Sequence, residues 1–323
     1  MNAQAGGLGV RQEGRAGVQT TPALLRTENL TKHYGPVVGL DGLTLEVNAG
    51  EVLGYLGPNG AGKTTTIRLL LGLIKPTAGR AEIFGLDAQK DKVAVHARVA
   101  YVPGEATLWP SLTGAETLHL LARMHGETDV AYRDALVRRF DFDPSRKVRA
   151  YSKGNRQKIN LIAALASRAD LLILDEPTAG LDPLMEQAFR ESVLEAKANG
   201  QTVFLSSHVL SEVEALCDRI AILRAGRLAE VGTLAEMRHL SALTVEATFP
   251  GTPPAVAAVP GVSAVRVAGH HLACQVRGPI DELLAVLAAA RPETLLSREP
   301  SLEELFLSIY GEREHVNDGA SDG

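Results

Sequence analysis

From Leu24 onward the apolar positions of this chain keep strand spacing. Leu43, Leu45 and Val47 alternate with Thr44 and Glu46, the period of a half-buried strand. Residues 52–56 form a near-continuous apolar run, and residues 65–73 read as an apolar helix. Between 106 and 158 the spacing turns helical, with apolar positions at 115–124 and 132–140 flanking a charged stretch. Strand-like runs return at 171–174 and 203–206. Strands alternating with helices predict a parallel α/β sheet, into which the helical segment is inserted.

The pattern changes again near Leu240. Three short strands are expected at 243–249, 262–267 and 272–276, then a helix at 280–290 and a short extended piece. A last helix is expected over 301–310, because Ser301 and Glu304 have the spacing of a capping box ahead of apolar residues. These elements predict a small α+β appendage over 241–311. Residues 1–22 are Gly-, Gln- and Arg-rich without periodicity and read as a disordered tail, and 312–323 read as a flexible one.

Composition narrows the function classes. Hydrophobic residues make up 45% of 323, enough for one large core or two smaller ones. A net charge of −5 and an aromatic content of 4% argue against a nucleic-acid surface, so no nucleic acid partner is expected. Cys217 and Cys274 stand far apart, outside any metal-binding spacing, and read as reduced core or surface residues. No apolar run approaches the ~18 residues of a membrane span. The first twenty residues lack the apolar stretch of a secretory signal, so any membrane role is expected to need a partner.

The candidate chemistry centres on Gly57-Pro58-Asn59-Gly60-Ala61-Gly62-Lys63-Thr64. This is G-x-x-x-x-G-K-[ST], the phosphate-binding P-loop, placed between a strand and a helix as its physics requires. The glycines let backbone N–H groups curl around phosphates. The helix start, with Thr65 in its first turn, adds a positive dipole end. Lys63 is the candidate contact for the β- and γ-phosphates, and Thr64 for Mg²⁺. Downstream, 171–174 end in Asp175 and Glu176. Ligands bind at the carboxyl ends of such strands. Asp175 is the candidate to hold Mg²⁺ opposite Thr64, and Glu176 to act as general base on water.

With these residues in order, the stretch 24–240 resembles the ATP-binding subunit of an ABC transporter. Tyr34 stands where that family places an aromatic against adenine. Tyr151-Ser152-Lys153-Gly154-Asn155-Arg156-Gln157 resembles the signature, with Ser152 a good N-cap for a helix expected over 156–168. Ala179-Gly180-Leu181-Asp182 resembles the D-loop, and Ser206-Ser207-His208 the switch histidine. The resemblance implies an α/β, RecA-like P-loop NTPase core with antiparallel β and helical subdomains, in an ATPase domain of 23–240. It implies that ATP and Mg²⁺ bind, that Glu176 and His208 are catalytic, that Ser152 and Gly154 meet the nucleotide of a second copy in a head-to-tail dimer, and that Asp182 with His208 completes the γ-phosphate contacts and the cross-talk between sites. It also implies an integral-membrane permease partner, holding the chain at the cytoplasmic face of the membrane.

Two motifs depart from the family pattern. Lys153 and Asn155 replace the usual Gly and Gln of the signature. Gly104 stands where the Q-loop glutamine is expected, leaving Glu105 as the neighbouring carboxylate able to replace it. Pro300-Ser301-Leu302-Glu303-Glu304-Leu305-Phe306-Leu307 resembles the closing helix of daunorubicin-type drug-resistance ATPases, which implies export of a drug-like or hydrophobic compound. A soluble ATPase acting on ribosomes or DNA, and a regulatory nucleotide-binding subunit, stay open as alternatives at this level.

Overall fold

The computed structural model describes residues 23–105, 107–126, 129–239, 242–299 and 301–311. The tails expected at 1–22 and 312–323, and Pro300, lie outside these residues.

Two 12-residue strands, β1 (Ala23–Tyr34) and β2 (Val37–Asn48), pair antiparallel. With β4 (Ala78–Ile83) and β5 (Leu86–Asp87) they form a sheet of order β2-β1-β4-β5. Leu43, Leu45 and Val47 are buried and Thr44 and Glu46 exposed, as their alternation predicts.

The second sheet has the order β10-β9-β3-β8-β7-β6. Its strands β3 (Val52–Leu56), β6 (Val99–Val102), β7 (Leu171–Asp175), β8 (Thr202–Ser207) and β9 (Arg219–Arg224) run parallel. Only the edge strand β10 (Arg227–Thr233) is antiparallel. β3, β7 and β8 are buried at every residue, which is why their sequences do not alternate. Successive residues of β7 serve opposite faces. Leu171 and Ile173 pack with Ile67 and Leu45, whereas Leu172 and Leu174 pack with Ile159 and Phe189.

Helix α1 (Lys63–Leu70) follows β3, and the short α2 (Lys92–His96) precedes β6. The inserted segment holds α3 (Gly114–His125) and α4 (Val130–Arg139), packed on α5 (Lys153–Ala166). α3 opens with a complete capping box between Thr113 and Glu116. α5 begins three residues earlier than the pattern predicts, because Ser152 accepts the Asn155 amide at 3.2 Å and closes the first turn. α6 (Pro183–Ala198), α7 (Leu210–Leu216) and α8 (Leu234–His239) complete this part.

A third sheet, of order β12-β13-β11-β14, is wholly antiparallel. It comprises β11 (Leu243–Thr248), β12 (Val262–Ala268), β13 (His271–Val276) and β14 (Thr294–Arg298). β14 is the extended piece expected from the pattern, and it pairs along β11. α9 (Asp281–Ala289) covers one face, with Leu283 and Leu287 packed on Val245 and Cys274. α10 (Leu302–Gly311) follows in sequence, but Leu302 and Leu305 pack on Val213 of α7 and Met237 of α8. Its capping box forms: the Glu304 amide donates to Ser301 Oγ at 3.2 Å, and the Ser301 amide donates to the Glu304 carboxylate at 3.0 Å. Among the described residues no helix is long and apolar enough to cross a membrane.

Candidate functional site

The loop between β3 and α1 closes on itself before any ligand is considered. The Ala61 amide donates to Pro58 O at 3.1 Å. Gly60 and Gly62 have φ of +82° and +111°, a region that side chains rarely enter. A Cβ on Gly62 would lie 2.6 Å from Gly39 O, so this position accepts glycine alone. Gly62 is also the N-cap of α1 and offers no side-chain acceptor to its first amides. Thr64 and Thr65 stand in the first turn of that helix, at its positive end.

Lys63 is 5% exposed, with its charge turned into the loop. Its Nζ donates to Gly57 O at 2.6 Å and to Pro58 O at 3.2 Å, and lies 3.3 Å from Glu176 Oε1. Buried ammonium groups need such partners.

The carboxyl end of β7 supplies the acids. Asp175 is buried and accepts the Ser206 hydroxyl at 2.6 Å and the Thr64 hydroxyl at 3.1 Å. The Tyr101 phenol beside it is pushed up to about 12, first by burial and then by the Asp175 charge. Glu176 has φ +47°, and its amide donates to Ser206 O at 2.9 Å. The parallel neighbour β8 therefore holds a backbone conformation that is otherwise unfavourable, a form of strain concentrated at functional sites. His208, half-exposed just past β8, places Nδ1 3.5 Å from Glu176 Oε1.

The remaining sequence-predicted residues stand around this group. A Cβ on Gly39 would meet the Tyr34 ring at 2.8 Å, and Tyr34 is 44% exposed. Asp182 caps α6 by accepting the Met185 amide at 3.1 Å, with Pro183 at the first helical position. Gly154 fits against the D-loop so closely that a Cβ would lie 2.3 Å from Gly180 O. Ser152 and Asp182 each cap their own helix and do not bond to Lys63, Asp175 or Glu176.

A cavity of about 520 Å³ opens among these elements, lined by Asn59, Thr64, Lys153, Asp175 and Glu176. Gly104 and Glu105 also line it, which brings the altered Q-loop to the same place. Tyr101, at the start of the altered Q-loop stretch, lines it too, as do Arg68 and Thr107, to which no sequence motif points. Gln157 stands in the signature, where it is buried and donates to Pro103 O at 3.2 Å, tying α5 to the strand end before Gly104. Ser206 is the functional residue that motif reading passes over. It belongs to the same motif as His208, but only the β7–β8 register reveals it as the anchor of Asp175.

The sheet, the loop and the acids define a P-loop ATPase. Residues 40–179 match the ABC transporter family. The chain is 36% identical over 312 residues to the daunorubicin resistance ATP-binding protein DrrA3 of Streptomyces coeruleorubidus, spanning 92% of this chain and 98% of that protein. A solved ATP-binding subunit of an ABC transporter superposes with a TM-score of 0.63 at 35% identity, covering 67% of this chain and 92% of the other. A dimeric ATP-binding cassette, solved in a post-hydrolysis state with ADP and Pi, shares the fold with a TM-score of 0.59 at 22% identity. That match covers 65% of this chain and 98% of the other. The chain belongs to the ATP-binding subunits of ABC transporters, and it binds and hydrolyses ATP.

Proposed function

We propose that this chain is the motor of an export system for a drug-like or hydrophobic compound, acting through a separate membrane permease at the cytoplasmic face. The daunorubicin resistance relative, matched over nearly its whole length, supports the export branch. The observation that carries the catalytic reading is the meeting of Lys63, Thr64, Asp175, Glu176 and His208 at the ends of β3, β7 and β8.

In this reading residues 23–240 form the ATPase unit and 241–311 an appended one. Lys63 exchanges the carbonyls of Gly57 and Pro58 for phosphate oxygens as nucleotide enters, and Tyr34 packs on the adenine. The residues from Gly57 to Gly62 cradle the phosphates with their amides, and Thr65 sits behind them in the first turn of α1. The Thr64 hydroxyl and the Asp175 carboxylate are hard oxygen donors already directed at each other, a set that fits Mg²⁺. That ion, when bound, supplies charge neutralisation on the phosphates. Glu176 takes the proton of the attacking water, and His208 contacts the γ-phosphate. A second copy, head to tail, brings Ser152, Gly154 and the N-terminus of its α5 onto the same phosphate, with Asp182 relaying between sites. A cassette of this fold solved as a dimer supports that arrangement.

Glu176→Gln tests the base. It is expected to bind ATP and form the dimer, and to lose turnover by about 10²- to 10⁴-fold. Full turnover in that variant overturns the assignment. Co-purification of a multi-span permease from gently solubilised membranes tests the transport reading; its absence, with ribosomes or DNA-bound proteins in its place, overturns it.

A further inference from the structure

α7 starts just after His208 and turns one acid inward. Glu212 is only 5% exposed, yet it is a carboxylate. Its Oε2 accepts the Ser207 hydroxyl at 2.7 Å. The same hydroxyl accepts the Val209 amide at 3.0 Å. One chain of hydrogen bonds therefore runs from Glu212 through the Ser207 side chain to the Val209 amide, spanning His208.

The second carboxylate oxygen, Oε1, is buried with no well-formed hydrogen bond, and the Thr178 hydroxyl is the other hydrogen-bonding neighbour of this carboxyl. Buried polar groups are nearly always bonded, so a poorly bonded oxygen at this place calls for a role. Thr178, two residues past Glu176, faces the same carboxyl, which also feels the charges of Glu186 and Arg190 of α6. The Cys217 thiol, just past the end of α7, feels the Glu212 charge together with those of Asp218 and Lys197. Burial pushes the Glu212 carboxyl up, and the Ser207 and Thr178 hydroxyls work against that shift. A helix-dipole role in the first turn of α7 would be served as well by an exposed acid. It does not account for burial beside the strand end that carries His208.

We propose that Glu212 is a positioning residue for ATP hydrolysis, holding the His208 segment through Ser207 and the loop after Glu176 through the Thr178 hydroxyl. The inference rests on the roles given above to Glu176 and His208. It makes α7 a clamp between the switch histidine and the loop that leaves the catalytic acid.

The test uses the full chain and compares Glu212→Ala, Glu212→Gln and Ser207→Ala for ATP hydrolysis, nucleotide affinity and thermal unfolding. Glu212→Ala is expected to lower kcat at least tenfold, with KM and the affinity for a fluorescent ATP analogue within twofold of the parent. Glu212→Gln is expected to recover kcat to within about threefold, because its carbonyl still accepts from Ser207 and its amide can donate to Thr178. Ser207→Ala is expected to lower kcat with unchanged KM, and the Ser207→Ala/Glu212→Ala pair to be no worse than Glu212→Ala. If Glu212→Ala does not fold, Ser207→Ala decides. Parental kcat in Glu212→Ala or in Ser207→Ala, or a loss that merely tracks the unfolded fraction, overturns the inference. Glu176→Gln run alongside keeps the two readings apart: full turnover there removes the base assignment, while the kcat of the Glu212 and Ser207 variants still decides the clamp.

Discussion

α1 and α5 both begin at the rim of one cavity, which Thr64 and Lys153 line from the two sides, yet their first turns are built in opposite ways. α1 is preceded by Gly62 at φ +111°, with no side-chain cap. α5 is preceded by Ser152, whose hydroxyl already accepts the Asn155 amide. The first turn of α1 therefore keeps its amides for a ligand, and a buried lysine stands beside them. The first turn of α5 satisfies itself. Under the function proposed above, the uncapped end meets the phosphates bound by its own chain, whereas the capped one meets an anion only after assembly and exchanges its cap for it.

Removing the charge at α1 should break this contrast most severely. Lys63→Ala is expected to weaken ATP binding by about a hundredfold, roughly 3 kcal/mol, since it deletes charge-assisted bonds to phosphate. Calorimetric titration with ATP checks this, and unchanged affinity would remove the P-loop assignment. At α5, Gly154→Ala forces a methyl against Gly180 O and is expected to cost about 1–3 kcal/mol of stability. Its turnover should fall while ATP affinity in the isolated subunit stays near parental, the reverse of the Lys63 result. Ser152→Ala removes the cap and should cost about 0.5–2 kcal/mol, read as a lower Tm. A loss of turnover without loss of monomer affinity would mark Ser152 as a residue that acts on the other copy's nucleotide.

The smallest effect sharpens the picture by pH. Because the Glu212 carboxyl lies above its ordinary value in the folded chain, its ionisation opposes folding. Its favourable contribution is full below the unfolded value and is lost as pH rises through the folded one. Glu212→Gln should therefore gain Tm over the parent above the folded value, with the gain disappearing on acidification. A gain that is independent of pH would show that another property of the substitution is responsible.

Much of this was legible from local spacing. The run 52–56, the glycines at 57, 60 and 62, and Lys63 with Thr64 form one continuous unit, so pattern reading recovers the cradle and its polarity. Boundaries set by a cap were less legible: α5 starts at Lys153, since the Ser152 bond to the Asn155 amide is invisible to apolar periodicity. The extended piece after α9 gave no sign of its partner, and it is β14 because β11 offers it a free edge.

By itself the sequence determined the phosphate loop with its flanking strand and helix, the two acids at the carboxyl end of β7 and the order of the motifs, since each depends on residues a few positions apart. Thr64 and Asp175, set opposite each other in the sequence reading, do meet across 111 positions, but only the tertiary structure decided that Ser206 meets Asp175 across 31. It likewise decided that Glu212 turns inward beneath His208, and that α10 packs on α7 and α8 rather than on the sheet that precedes it. The reason is physical. A strand's own pattern says which of its residues are buried, but the neighbour that buries them is chosen by the packing of the whole chain.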